Sequence, residues 1–254
     1  SFWRRITASP ARFSVPETPL NDAIRQSVRF SNVLSERNPE TDRLCKISGT
    51  WFYTDLWTTP LAMDLVMMMD LLGHHATVER YLEILRVEQG TVKPPGDAYE
   101  PHPGYLSTPA RYKSIDWLPD NGAVLWTFCM HYLLSGDRAY LDRFLDSILK
   151  SCEWIRESRA KTGHGGYEGV LPPAVASDFG TKIQAAWSSA WNYKGLVTAV
   201  RVLRAIGHPR AGEFAAEAEG FRRDFMKAIR RRAKALPPWR DAHGRKRRCL
   251  PHAL

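Results

Sequence analysis

Apolar positions recur every three to four residues along most of the chain. The pattern predicts helices at about 20–37, 60–72, 75–88, 121–135, 138–158, 187–206 and 209–233. Asn21, Asp120 and Asn121 suit N-cap positions, and Pro60 and Pro209 suit first turns. Six of the seven segments form three pairs, each joined through a glycine: Gly73 before His74-His75, Gly136 before Asp137-Arg138, and Gly207 before His208-Pro209. A glycine there supplies the left-handed residue that ends a helix. The glycines lie 63 and 71 residues apart, a loose repeat of helical hairpins.

The two helices of a pair differ in polarity. Segment 121–135 has no Lys, Arg, Asp or Glu, and segment 60–72 has only Asp64 and Asp70. Their partners are densely charged, as in Asp142, Arg143, Asp146, Lys150 and Glu153. A helix that is apolar all round is buried on every side, and an amphipathic one covers it from outside. Inner and outer helices alternating in consecutive hairpins describe an all-α fold, an (α/α) toroid. The Met67-Met68-Met69 run then fills the core.

The connections between pairs are long, at 22 residues (38–59), 32 (89–120) and 28 (159–186). Loops of that length in a compact domain are usually functional. Antiparallel hairpins bring all three to one end, where the inner helices begin with free N–H groups. The first loop carries Trp51, Tyr53, Asp55 and Trp57; the second carries Tyr99, Glu100, His102, Asp116, Trp117, Asp120 and Asn121. The third carries His164, Tyr167, Glu168 and Asp178 and leads to Trp187, Trp191 and Asn192. Rings interleaved with carboxylates, amides and histidine suit a sugar: the rings cover its C–H face, and the polar groups take its hydroxyls. Nucleic acid would call for Lys and Arg between the rings, so it is not expected at this end.

Cleaving a glycosidic bond normally takes two carboxyl groups, one of them protonated. Asp178, after a Pro-Pro stretch and before a glycine, is the first candidate for the acid. Glu168, beside Tyr167 and between glycines, is the second. The alternative for either is to brace its loop or bind a hydroxyl. Asp120 reads as an N-cap before a ligand contact, and Asp55, Glu100 and Asp116 as hydroxyl binders or loop braces. His102 and His164 read as loop histidines or ligand contacts, and His74-His75 as turn residues. No metal triad, phosphate-binding glycine loop or nucleophile elbow is apparent, so neither a metal nor a cofactor is expected.

Composition narrows this further. The chain has 254 residues, 44% of them apolar and 25% charged, enough for a single folded domain spanning 1–254. No apolar run approaches the length of a membrane span, so no membrane partner is expected. The net charge is +9, but 222–254 hold 12 Lys/Arg against 2 Asp/Glu, whereas 1–221 hold 24 against 25. The basicity belongs to the last stretch, with 234–254 read as a basic loop or tail. A solvated surface is its ordinary reading, and contact with nucleic acid or an acidic surface the alternative. Cys45, Cys129, Cys152 and Cys249 show no metal or redox spacing, which favours a reducing compartment such as the cytoplasm. With no signal peptide and no initiating Met, Ser1 reads as a cut end.

The loop motifs resemble a known superfamily. The run Asp120-Asn121-Gly122-Ala123-Val124-Leu125-Trp126, with Tyr132, Gly136-Asp137 and Tyr140-Leu141 after it, is similar to the second-loop and hairpin pattern of the six-hairpin (α/α)6 glycosidases. Those include glucoamylases, trehalases, glycogen-debranching glucosidases and α-L-rhamnosidases. Residues 167–173 (Tyr-Glu-Gly-Val-Leu-Pro-Pro), 176–180 (Ala-Ser-Asp-Phe-Gly) and 191–196 (Trp-Asn-Tyr-Lys-Gly-Leu) resemble the third-loop pattern. The likeness covers about residues 40–230 and implies a mostly inverting hydrolase of oligosaccharides or glycosides, its acid in a loop entering a middle inner helix. A full toroid needs twelve helices and about seven are legible, so the chain reads as the N-terminal part of an incomplete (α/α)6 barrel. Its catalytic base would then lie in a missing C-terminal half. Sugar epimerases and polysaccharide lyases share the toroid and remain alternatives, as do a noncatalytic helical scaffold and a nucleic-acid binder acting through the basic end.

Overall fold

The computed structural model describes residues 2–11, 13–37, 42–49, 55–109 and 116–254. The chain is mostly helical, with short two-stranded hairpins between helices and after the last one, which places it in the all-α class. Short α1 (Phe2–Ile6) precedes α2 (Thr18–Val33) and the antiparallel pair β1 (Ser35–Arg37) and β2 (Leu44–Lys46). Helix α3 (Thr58–Asp64) continues as a π-helical segment, Leu65–Asp70, before α4 (His75–Val87). Next come α5 (Pro119–Ser135), α6 (Arg138–Arg159) and the pair β3 (Ala174–Val175) and β4 (Lys182–Ile183). Helices α7 (Ala186–Ala205) and α8 (Ala211–Ala235) follow, then β5 (Trp239–Arg240) and β6 (Lys246–Arg247).

The hairpin turns form as the glycines predict, with positive φ at Gly73, Gly136 and Gly207. Several boundaries differ from expectation. The first helix stops at Val33, and 35–37 pair with β2 instead of extending it. Asn21 lies inside α2, its side-chain amide exchanging hydrogen bonds with the backbone of Val15. Helix α5 begins at Pro119, whose missing N–H costs nothing in a first turn, so Asp120 and Asn121 are helical residues and not caps. Pro209 precedes α8 and lies outside its first turn.

Helix α5 packs against α3 on one side and, most extensively, against α7 on the other, giving an inner row. A Cβ on Gly122 would lie 2.3 Å from Asn192 N, and one on Gly195 would lie 2.6 Å from the Gly122 carbonyl. Two glycines facing each other therefore let these helix backbones meet. Helices α4, α6 and α8 form the outer row. The buried residues of α8, namely Phe214, Ala218, Phe221, Phe225 and Ala228, follow one helical stripe. Ion pairs lace the outer row together: Arg156 to Glu213 at 2.7 Å, Arg159 to Asp224 at 3.0 Å, and Arg143 to Glu79.

Burial is nearly complete along α5 but not along its inner-row neighbour. Met69 is buried and Met68 partly so, whereas Met63, Met67 and Leu71 are exposed, four residues apart on one stripe. The expectation that the whole methionine run fills the core is corrected at Met67. Residues 234–254 do not hang free: beyond the β5–β6 hairpin the chain returns to α7, where Ala186 N–H donates to the His252 carbonyl at 2.9 Å and Leu254 N–H to that of Gln184 at 2.8 Å. No helix among the described residues is long and apolar enough to cross a membrane.

Candidate functional site

The loops feeding the inner row are tied to one another. Leu118 N–H donates to the Val175 carbonyl, and Val175 N–H to that of Pro95, both at 2.9 Å, joining the second and third loops. Asp120 joins the first and second: its Oδ1 accepts from Thr59 N at 3.1 Å and Thr59 Oγ1 at 2.7 Å, and its Oδ2 from Thr108 Oγ1 at 3.4 Å. Only 2% of Asp120 is exposed. Burial pushes its carboxyl up to about 6, against the opposing pull of the bonds from Thr59 and Thr108. Asp120 is thus a buried clamp between loops, neither a cap nor a surface ligand.

This bracing brings rings from separate loops together. Trp57 and Trp117 lie 4.8 Å apart at 48°, and Trp117 meets Trp187 edge-on at 6.2 Å. Trp187 Nε1 donates to the Ala176 carbonyl at 2.8 Å, holding the third loop against the start of α7. Trp57, Trp117, Asp178, Ser48 and Pro60 line a depression of about 280 Å³. Asp178 is exposed there, beside Phe179, which is 90% exposed. Ser48 and Pro60 also border a larger groove of about 690 Å³ between α2 and α3, so the two are contiguous. That groove is floored by Phe30, Leu61 and Met68 and holds the Lys46–Asp64 ion pair at 2.6 Å.

One turn further along α7, Trp191 packs on Trp126 of α5 with centroids 5.6 Å apart. The Lys194 ammonium lies 3.9 Å from the Trp126 ring centre and 4.5 Å from that of Trp191. It has no carboxylate partner among the described residues, and burial lowers its pKa. Trp187, Trp191 and Lys194 share one stripe of α7, so the ring-rich surface extends from the depression onto the inner row. The apolar background hid Lys194 from the sequence pattern, although its i+3 spacing from Trp191 was a readable signal.

Other expected site residues lie elsewhere. Tyr99 is buried, stacked on Trp154 at 5.9 Å with its hydroxyl on the Pro172 carbonyl, and so belongs to the core. Asn121 and Asn192 are fully buried and bonded to each other at 2.8 Å, and Asn121 Oδ1 also accepts from Leu106 N–H and the Ser151 hydroxyl. Asn121 and Asn192 pin α5 to α7 and do not face a ligand. Asp116 is nearly buried, and Asp55 half-buried, its carbonyl accepting from Ser48 N–H. Glu100 is exposed near Lys93 at 3.7 Å, and His102 Nε2 faces Glu157 at 3.2 Å. Glu168 lines a different depression, with Tyr167, Asp224 and Arg231, and His164 another beside Lys161 and Lys182. Neither depression includes Asp178. Trp51 and Tyr53 lie outside the described residues.

Sequence spacing missed one further feature, and the basic end that composition had marked divides into paired and unpaired cations. At the glycine-turn end of the hairpins, Asp70, His75 and His131 converge, with potential ligand atoms all within 4.8 Å of one another. They are far apart in sequence or split by a turn, so no regular motif marks them. On α8 and the following loop, Lys227, Arg230, Arg231, Lys234, Lys246 and Arg248 have no carboxylate partner among the described residues, whereas Arg222, Arg245 and Arg247 do. Compared with known proteins, the chain matches no family profile and no curated protein.

Proposed function

We propose that the chain is a carbohydrate-active hydrolase, or part of one, with Asp178 as the general acid at a saccharide-binding depression floored by Trp57 and Trp117. A single observation carries the reading: an exposed carboxylate and two indoles, contributed by three separate loops, line one cavity. Indole faces suit the C–H faces of a pyranose, and an acid at their edge is where a glycosidic oxygen would need its proton. The contiguous groove between α2 and α3 would lead further sugar units away.

In this reading the inner and outer rows are part of a six-hairpin toroid, and the exposed stripe of Met63, Met67 and Leu71 is a surface that further helices of the ring would cover. Glu168 becomes the weaker acid candidate, since it shares no cavity with Asp178. The lyase and epimerase alternatives lose support for the same reason: Tyr167 and His164 line separate depressions.

The test is a panel of glycosides and oligosaccharides assayed with the full chain and with the longest protein that contains it, each compared with Asp178→Asn. Saccharide binding, together with hydrolysis that Asp178→Asn abolishes, is expected. Hydrolysis undiminished in Asp178→Asn would reject the acid assignment, and an unsaturated product would move the protein to the lyases.

A second reading rests on the unpartnered cations of α8 and its following loop: this face contacts a polyanion such as nucleic acid. Three of those cations, Arg230, Lys234 and Arg248, surround a shallow cavity of about 520 Å³. Such contacts release counter-ions, so binding would weaken steeply with salt.

A further inference from the structure

The Asp70 carboxylate is fully buried among groups from three helical segments. Its Oδ1 lies 2.9 Å from His75 Nδ1 and also 2.9 Å from His131 Nδ1, and its Oδ2 lies 3.1 Å from His131 Nδ1. No Lys or Arg reaches it among the described residues. A buried carboxylate needs compensating charge, and here only two imidazoles are at hand. His131 is itself buried, and its second ring nitrogen, Nε2, meets no hydrogen-bond partner. With neither a Lys nor an Arg in reach among the described residues, the carboxylate is met by imidazole nitrogens alone. The backbone adds an independent sign: the segment Leu65–Asp70 abandons the α-helical repeat for the wider π repeat and ends on Asp70. π-Helical turns are rare and frequently accompany functional sites.

We propose that Asp70, His75 and His131 form a zinc site that ties the π-helical segment, the start of α4 and the end of α5 together at the glycine-turn end of the molecule. Two imidazole nitrogens and one carboxylate oxygen are the donor set of a borderline ion such as zinc, whereas calcium and magnesium take oxygen ligands. Zinc holds such ligands at about 2.0–2.2 Å, so tetrahedral neighbours stand roughly 3.4 Å apart. The observed 2.9 Å contacts need to open by about half an ångström. Zinc takes the Nδ1 lone pairs, so each neutral imidazole carries its proton on Nε2 in the bound form, and the Nδ1 protons that face Asp70 pass to Nε2 through water. His75, with 35% of its side chain exposed, leaves a path for the ion and for water as a remaining ligand. The lack of an acceptor for a proton on His131 Nε2 makes this a weaker site than one with a complete outer shell.

The experiment uses the whole chain, stripped of metal with a chelator and titrated with zinc sulfate, reading bound zinc and the thermal unfolding midpoint. His75→Ala is the main variant, because a partly exposed side chain at a helix start is removed without opening the core. Asp70→Asn is the second. One zinc per chain, a raised midpoint, and affinity at least about tenfold weaker in His75→Ala are expected. Cobalt substituted for zinc should give the visible absorption of a low-symmetry site in the wild type and lose it in His75→Ala. Equal zinc binding by wild type and His75→Ala would put the ion elsewhere and overturn the site. An unmoved midpoint with no retained zinc would overturn it as well, leaving a hydrogen-bonded clasp only.

Discussion

The two ends of the helical hairpins use carboxylates in opposite ways. At the long-loop end Asp178 stands exposed at the edge of an indole floor, while Asp120, from the neighbouring loop, is buried and fully occupied by Thr59 and Thr108. At the glycine-turn end Asp70 is as buried as Asp120, but its partners are two imidazoles and not hydroxyl and amide donors. Neutral donors hold Asp120 in place and leave it nothing further to bind. Imidazoles are metal ligands as well as donors, so the same depth of burial leaves Asp70 open to a cation. Acidic residues in this chain are thus separated by what surrounds them and not by their density along the sequence.

Substitutions at the loop end sharpen this contrast. The largest effect is expected for Asp178→Asn, which should lower glycoside turnover by about 10²–10⁴-fold, the usual contribution of a general acid. Its thermal midpoint should be unchanged, because an exposed side chain holds nothing together. A fall in midpoint as large as that of an Asp120 variant would erase the distinction between the two aspartates.

Asp120 should instead declare itself through pH. Its folded carboxyl sits at about 6 against an ordinary 3.8. A raised pKa means that its contribution to stability is fully present below about 3.8, declines as pH rises through about 6, and is flat above. The span is about 3 kcal/mol at most, from roughly 1.4 kcal/mol per unit. Chemical denaturation at several pH values should show this decline in the wild type and lose it in Asp120→Asn, which keeps an oxygen facing Thr59. Identical pH profiles for the two proteins would contradict the buried-clamp description.

A smaller effect is expected from Trp117→Ala. Removing the ring between Trp57 and Trp187 should weaken saccharide binding about tenfold, the scale of one lost aromatic contact. Asp178 stays in place, so residual turnover at saturating sugar should persist; calorimetric titration separates the two. The smallest structural effect belongs to the basic face. Replacing Lys227, Arg230 and Lys234 with Gln should change stability by less than about 0.5 kcal/mol per site. If that face contacts nucleic acid, the same change should flatten the salt dependence of binding by about 0.9 per lost phosphate contact.

Much of the framework was legible along the chain. Gly73, Gly136 and Gly207 end their helices in the left-handed region because a local backbone requirement needs only local residues. The charge-free stretch of α5 announced an inner helix, and the single stripe of α8 an outer one, since burial follows helical period. The grouping of Trp57, Trp117 and Asp178 was also anticipated, from the rule that hairpin connections share an end. Other assignments failed where a side chain's neighbours came from distant segments. Asp120 resembled a cap because caps precede apolar helices, yet Thr59, 61 residues away, and Thr108, from its own loop, hold it inward. Tyr99, in a loop, and Asn121 and Asn192, near the starts of helices that the loops feed, looked like ligand contacts, yet all three are spent inside the core.

What this amino-acid sequence determined by itself is therefore the helical class, the hairpin turns, the inner and outer character of the helices and the end at which the long loops gather. These depend on period, backbone freedom and amphipathicity, which act over a few residues at a time. Only the tertiary structure decided which acids are exposed and which are clamped, where Lys194 rests on its two indoles, and that Asp70 meets His75 and His131. Burial and pairing depend on groups brought together across tens of residues, and neither spacing nor composition records that distance.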